Sequence, residues 1–108
     1  MTETIDMRPE HAAIVREILR RFLPPTARAF VFGSRAQGGA RPFSDLDLAI
    51  ECCRPLGLDL TGQIAEALSE SDLPYKVDIV GLSTIDPSFR ARIATDLVPL
   101  SLHMKEAK

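Results

Sequence analysis

The sequence predicts an α/β protein of the α+β kind, one small mixed β-sheet with helices packed on it, and two observations carry that prediction. Stretches with apolar residues at helical spacing are interleaved with short apolar runs that read as strands, in the order helix, strand, loop, strand, helix, strand, helix. In the second of those short runs, SDLDLAIE, apolar and acidic residues alternate, so that Leu46, Leu48 and Ile50 share one face of an extended strand while Asp45, Asp47 and Ala49 share the other. The 108 residues leave room for one domain, 1–108, with about 1–8 and 103–108 frayed at its ends.

The elements follow in chain order. From about Pro9 to Leu23, Ile14, Val15, Ile18, Leu19 and Phe22 recur at helical spacing, and Arg16, Glu17, Arg20 and Arg21 fill the opposite face. The LPP that follows ends this helix, because proline cannot continue it. ARAFVF, residues 27–32, is short, aromatic and β-branched, and reads as a buried strand running into a Gly33-Ser34 turn. RAQGGARPF is a loop with a brief helical turn at its start. After SDLDLAIE and a CCRPLG break, Leu60, Ile64 and Leu68 mark a short amphipathic helix with Asp59 as a candidate N-cap. YKVDIVGL is a third strand, with Val77 and Ile79 on one side and Asp78 and Val80 on the other. TIDPSFRARIATDL then carries a helix-start signal, Asp86 as cap and Pro87 at the first helical position, with Phe89, Ile93 and Leu97 along its buried stripe.

Composition excludes several classes. A chain that is 45% hydrophobic and 26% charged is neither disordered nor fibrous. No apolar run approaches the roughly 18 residues of a membrane span, and MTETIDMRPEH has neither the basic nor the apolar part of a signal peptide, so the expected location is cytoplasmic. A net charge of −2 supplies no bulk attraction for a polyanion and argues against nucleic acid as the partner, while an oligomer is left open. Cys52 and Cys53 are adjacent, which suits neither a bridge across the chain nor a C-x-x-C site, and they read as reduced, packed thiols. His11 and His103 have no second ligand at metal spacing and read as surface residues.

The acidic face of SDLDLAIE demands an explanation. Two carboxylates on one strand face, with Cα atoms about 6.5 to 7 Å apart, repel each other unless a cation sits between them. Oxygen-only ligands favour a hard divalent ion, and Mg²⁺ characteristically takes one or two carboxylates together with water and substrate phosphates. Asp78, in an equally apolar strand, is a candidate third carboxylate. Gly33 lets backbone approach a ligand closely, the N–H groups of the turn and the Ser34 hydroxyl can hold phosphate oxygens, and Arg35 and Arg41 can pair with phosphate charge. For Gly33-Ser34 the bland alternative is a plain tight turn, and for the two arginines it is surface solubility.

The stretch GSRAQGGARPFSDLDLAI resembles the G-S-x10-D-x-D signature of the DNA polymerase β-like nucleotidyltransferase superfamily, with ten residues, 35 to 44, between Ser34 and Asp45. Asp78 falls where that family places a third carboxylate on a later strand. The brevity of the chain is similar to that of the minimal nucleotidyltransferase (MNT) subgroup, and the likeness spans nearly all of residues 10–100. The resemblance implies a nucleotidyltransferase fold and a two-metal transfer of AMP from ATP with loss of pyrophosphate. It implies that Asp45 and Asp47 ligate both Mg²⁺ ions, that Asp78 binds the ion activating the acceptor hydroxyl, and that Gly33 and Ser34 hold the β- and γ-phosphates. Gln37 stands where relatives commonly carry a basic residue. MNT relatives are often paired with a HEPN-domain protein, and some are antitoxins that place AMP on a tyrosine of that toxin. Two alternatives remain beside this one: a non-catalytic module of the same fold that masks a partner, and the catalytic subunit of a small-molecule adenylyltransferase.

Overall fold

The computed structural model describes residues 7–37, 44–52 and 57–100, with the side chains of Ser34, Gln37 and Leu58 left aside. Arg41, Cys53, His103 and most of the two chain ends expected to fray lie outside the described residues.

Helix α1 (Pro9–Phe22) begins with proline in its first turn and closes through the Leu23 N–H on the Leu19 carbonyl at 2.8 Å. Its buried stripe is Ala12, Val15, Ile18 and Leu19, and the arginines and glutamate lie on the remaining surface. Strand β1 (Arg28–Phe32) follows, then a four-residue helix α2 (Ser34–Gln37), strand β2 (Leu46–Glu51), helix α3 (Leu58–Ser69), strand β3 (Val77–Gly81), helix α4 (Pro87–Ile93), a single 3-10 turn (Ala94–Asp96) and strand β4 (Val98–Leu100). The four strands form one sheet in the order β3-β2-β1-β4. β1 is antiparallel to both β2 and β4, whereas β2 and β3 are parallel and joined through α3, so the sheet is mixed. A parallel pair needs such a crossover, while the antiparallel pairs do not.

The strand parity holds on both faces. Leu46, Leu48 and Ile50 join Val15, Ile18, Leu19, Ile64 and Leu68 in the main core beneath α1 and α3, with Val77 and Ile79 packed against it. The opposite face carries a smaller cluster, Phe32, Ala49, Leu82 and Ile93, with Phe30, Val80 and Phe89 packed against it. Phe32 and Phe89 meet edge to face with centroids 6.2 Å apart, a favourable geometry for two ring quadrupoles.

Three expectations are corrected. The last helix does not run on to Leu97: α4 stops at Ile93, and after the 3-10 turn Leu97 is extended and leads into β4, a strand that the sequence did not suggest. Pro99 explains the change, because it cannot continue a helix and drives the residue before it out of the α region, yet it is tolerated in an edge strand. The α3 N-cap is Gly57 rather than Asp59, which sits in the first turn instead. His11 is not simply a surface residue: its Nδ1 lies 3.2 Å from the Tyr75 hydroxyl, with the rings edge to face. The Asp86 cap stands as expected, accepting from the N–H groups of Ser88 and Phe89.

Candidate active site

Topology brings the candidate residues to one end of the sheet. β1 runs into Gly33, and because β2 is antiparallel to it, Phe32 at the end of β1 faces Asp47 near the start of β2. Because β3 is parallel to β2, its start lies at the same end, and Asp78 is in direct register with Asp47. Adjacent strands lie about 4.8 Å apart, so the two aspartates stand side by side on the face opposite the main core. Asp45 precedes β2 by one residue, and the Leu46 N–H after it is held by the Lys76 carbonyl at 2.9 Å.

Gly33 is built into this arrangement. Its φ of +78° lies in the left-handed region, which glycine adopts without the Cβ penalty other residues meet. A Cβ at this position would also run into Oδ2 of Asp47 and lie 3.4 Å from its Cγ. The glycine therefore lets the chain turn while the Asp47 carboxylate rests against the turn itself. Ser34 opens α2 immediately afterwards, and the Ala36 N–H returns to the Gly33 carbonyl at 3.1 Å. A plain tight turn would need no such carboxylate at its back.

The electrostatics follow from that crowding. Asp47 is half-buried, and its pKa is raised above the ordinary carboxylate value, first by burial, then by the negative charge of Asp78 and then by that of Asp45. Among the described residues no cation pairs with Asp47. Lys76 Nζ approaches Asp78 Oδ1 at 3.8 Å, but both side chains are largely exposed, and such a pair contributes little. Among the described residues no group of three or more His, Cys, Asp or Glu side chains is placed to hold a metal ion. Asp47 and Asp78, in register on adjacent strands, offer two carboxylates, and an ion of the Mg²⁺ kind takes the rest of its shell from water and phosphate.

Arg35 is where the structure departs furthest from the reading of the sequence. It is 5% exposed, so it is no solubilising surface charge. Its Nε and Nη2 both donate to the Ser44 carbonyl, at 3.1 and 3.0 Å, and its guanidinium lies 4.0 Å from the centre of the Tyr75 ring. Tyr75 belongs to the main core on the α1 and α3 side of the sheet, away from the carboxylates. The described contacts of Arg35 are thus with protein backbone and an aromatic ring. A single sequence carries no signal for this, since nothing local pairs residue 35 with residues 44 and 75. The α4 arginines, read as an outer face, are partly engaged: Arg90 donates to the Leu82 carbonyl at 3.3 Å, and Arg92 lies 5.7 Å from the Phe89 ring centre.

A mixed sheet that sets a Gly-Ser turn against an Asp-x-Asp strand, with a third aspartate in register on the next strand, defines the class of nucleotidyltransferases. The chain belongs to the family described as "Polymerase beta, Nucleotidyltransferase", whose family model matches residues 15–101. It is 42% identical over 86 residues, 80% of this chain and 75% of the relative, to the "Probable protein adenylyltransferase MntA" of Haemophilus influenzae. Among solved structures it is similar to a toxin-antitoxin crystallised with AMP-PNP, with a TM-score of 0.73 and 26% identity over 83% of this chain and 72% of the other. It also shares its fold with the chain matched in a structure described as a tri-AMPylated Shewanella oneidensis HEPN toxin in complex with MNT antitoxin (TM-score 0.70, 22% identity, 88% of this chain and 72% of that one). No helix among the described residues is long and apolar enough to cross a membrane.

Proposed function

We propose that this chain is a Mg²⁺-dependent adenylyltransferase that moves AMP from ATP to a hydroxyl of a partner protein, as the antitoxin of a HEPN/MNT toxin-antitoxin pair in the cytoplasm. The observation that carries the reading is the contact between Gly33 and Asp47 beside Asp78 in register, because it joins a turn suited to phosphate to a half-buried carboxylate whose charge is opposed by burial and by neighbouring aspartates. The similarity to MntA at 42% identity supports AMP as the transferred group and a protein as the acceptor. The likeness to a toxin-antitoxin with AMP-PNP supports the nucleotide and the kind of partner.

In this reading Asp45, Asp47 and Asp78 are the residues that would hold two Mg²⁺ ions, which when bound would supply stabilisation of the charge that develops on the attacking and leaving oxygens. Gly33 and Ser34 hold the β- and γ-phosphates. The acceptor hydroxyl gives up its proton to solvent as its oxygen bonds to the α-phosphorus and the bridging oxygen leaves with pyrophosphate. Asp47 must be ionised to serve, and its raised pKa means that it gains more than an isolated aspartate from a cation brought to it. A non-catalytic masking module has no use for this cluster and would still bear its repulsion. The whole chain acts as one donor-side domain, and a surface docked beside Asp78 positions the acceptor hydroxyl, where a misplacement of about 1 Å can cost a hundredfold in rate.

The test is mass spectrometry of the partner after incubation of the purified pair with Mg²⁺ and ATP. An AMP adduct on the partner that disappears with Asp45→Ala/Asp47→Ala is the expected result. Tight association with no adduct from the wild-type pair would favour masking and overturn the proposal.

A further inference from the structure

We propose that Arg35 is a positioning residue that sets the start of β2, and with it Asp45, rather than a ligand of the triphosphate. The inference rests on the metal-binding reading of the carboxylate face and adds to it the device that holds one of the carboxylates in place.

The backbone around Asp45 is fixed on both sides. Before it, the Ser44 carbonyl accepts two hydrogen bonds from the Arg35 guanidinium, at 3.1 and 3.0 Å. After it, the Leu46 N–H donates to the Lys76 carbonyl at 2.9 Å. The two anchors are linked, because the guanidinium lies 4.0 Å from the ring centre of Tyr75, the residue immediately before Lys76. Tyr75 is itself seated, 8% exposed, with its hydroxyl 3.2 Å from His11 Nδ1 of α1. Arg35 therefore connects the short helix after the Gly33 turn to the starts of β2 and β3, the three places from which the site is assembled.

The chemistry requires arginine. A planar guanidinium can direct two N–H groups at one carbonyl oxygen while its face lies on an aromatic ring. The ammonium of lysine is a compact, strongly hydrated point charge that cannot match both contacts. Asp45 lies outside the regular ladder of β2, which begins at Leu46, so its position depends on these anchors more than that of Asp47 does. Metal ligands rely on neighbouring groups in this way, and loss of an orienting partner typically weakens metal affinity by about 10- to 100-fold.

The experiment uses the full chain as wild type, Arg35→Lys and Tyr75→Leu, the second variant removing the aromatic seat without touching Arg35. Three quantities are read: amide hydrogen exchange at Leu46, the Mg²⁺ concentration giving half of the rise in melting temperature, and ATP affinity without metal. In both variants exchange at Leu46 should quicken by at least about tenfold relative to amides in α1, as local opening of the strand start demands. The Mg²⁺ midpoint should rise by about 10-fold or more, with metal-free ATP affinity unchanged. Weakened metal-free ATP binding in Arg35→Lys with an unchanged Mg²⁺ midpoint would make Arg35 a phosphate ligand and overturn the proposal. A lower melting temperature with Leu46 exchange and the Mg²⁺ midpoint unchanged would leave only a general stabilising role and would overturn it too. If wild type itself gives no Mg²⁺ response, the functional reading fails, and exchange at Leu46 alone decides whether Arg35 holds the strand.

Discussion

The two faces of the sheet are made from the same strands, yet they are opposite in character. Beneath α1 and α3, alternate residues of β1, β2 and β3 enter a closed apolar core in which Val31, Leu46 and Leu48 have no exposure at all. On the other face, among the described residues, the short α4 sets Phe89 edge to face against Phe32 of β1 and brings Ile93 into the same small cluster. The same face carries Asp47 and Asp78 near the starts of β2 and β3. Burial on the first face provides the stability that lets the second tolerate like charges side by side. A single residue step along β2 separates the two roles.

The largest expected effect comes from the covered face. Leu48→Ala removes a fully buried side chain and should destabilise by about 2–5 kcal/mol, read by urea unfolding. The molecules that remain folded should keep their response to Mg²⁺, because Leu48 points away from the carboxylates. A loss of that response in the folded fraction would show that the two faces are not separable.

Gly33→Ala sharpens the comparison from the other side. It places a Cβ against the Asp47 carboxylate at a φ of +78°, and the strain should cost on the order of 1–3 kcal/mol. Unlike Leu48→Ala, it should also weaken Mg²⁺-ATP binding beyond what the stability loss explains, as isothermal titration would measure. Unchanged binding would reduce Gly33 to a turn former.

Asp86→Ala has the smallest effect and touches only the edge of the open face. It removes the cap that accepts from the Ser88 and Phe89 N–H groups, at a cost of about 1 kcal/mol. Thermal melts should register the shift, with nucleotide binding intact; a large loss of binding would place α4 inside the site.

Much of this was legible because it is periodic or spaced. The alternation in SDLDLAIE placed the leucines in the core and Asp47 on the opposite face. Asp78 was legible for the same reason of parity in VDIVG. What escaped depends on contacts between distant residues. β4 is three residues long with a proline at its centre and gains its identity only from pairing with β1. Arg35 reads as a phosphate partner or a surface charge until Ser44 and Tyr75 are folded around it, and His11 as a surface residue until Tyr75 reaches it. In each case the partner lies far along the chain, and local pattern carries no information about it.

The central claim is that the open face is a charge cluster completed by a cation, and the melting temperature of wild type against Asp47→Asn, with and without Mg²⁺-ATP, tests it most directly. The pKa of Asp47 is raised in the folded protein, so the folded state holds a proton where the unfolded state has released it. Stability therefore falls as pH rises through the window from the ordinary aspartate value up to the raised one, and the penalty persists above it. At neutral pH without metal, Asp47→Asn should melt higher than wild type, and the gap should close as the pH falls through that window. With saturating Mg²⁺-ATP the order should reverse, because only the wild-type folded state gains from binding. A variant that melts no higher than wild type without metal, or that responds to Mg²⁺-ATP just as wild type does, would contradict the account.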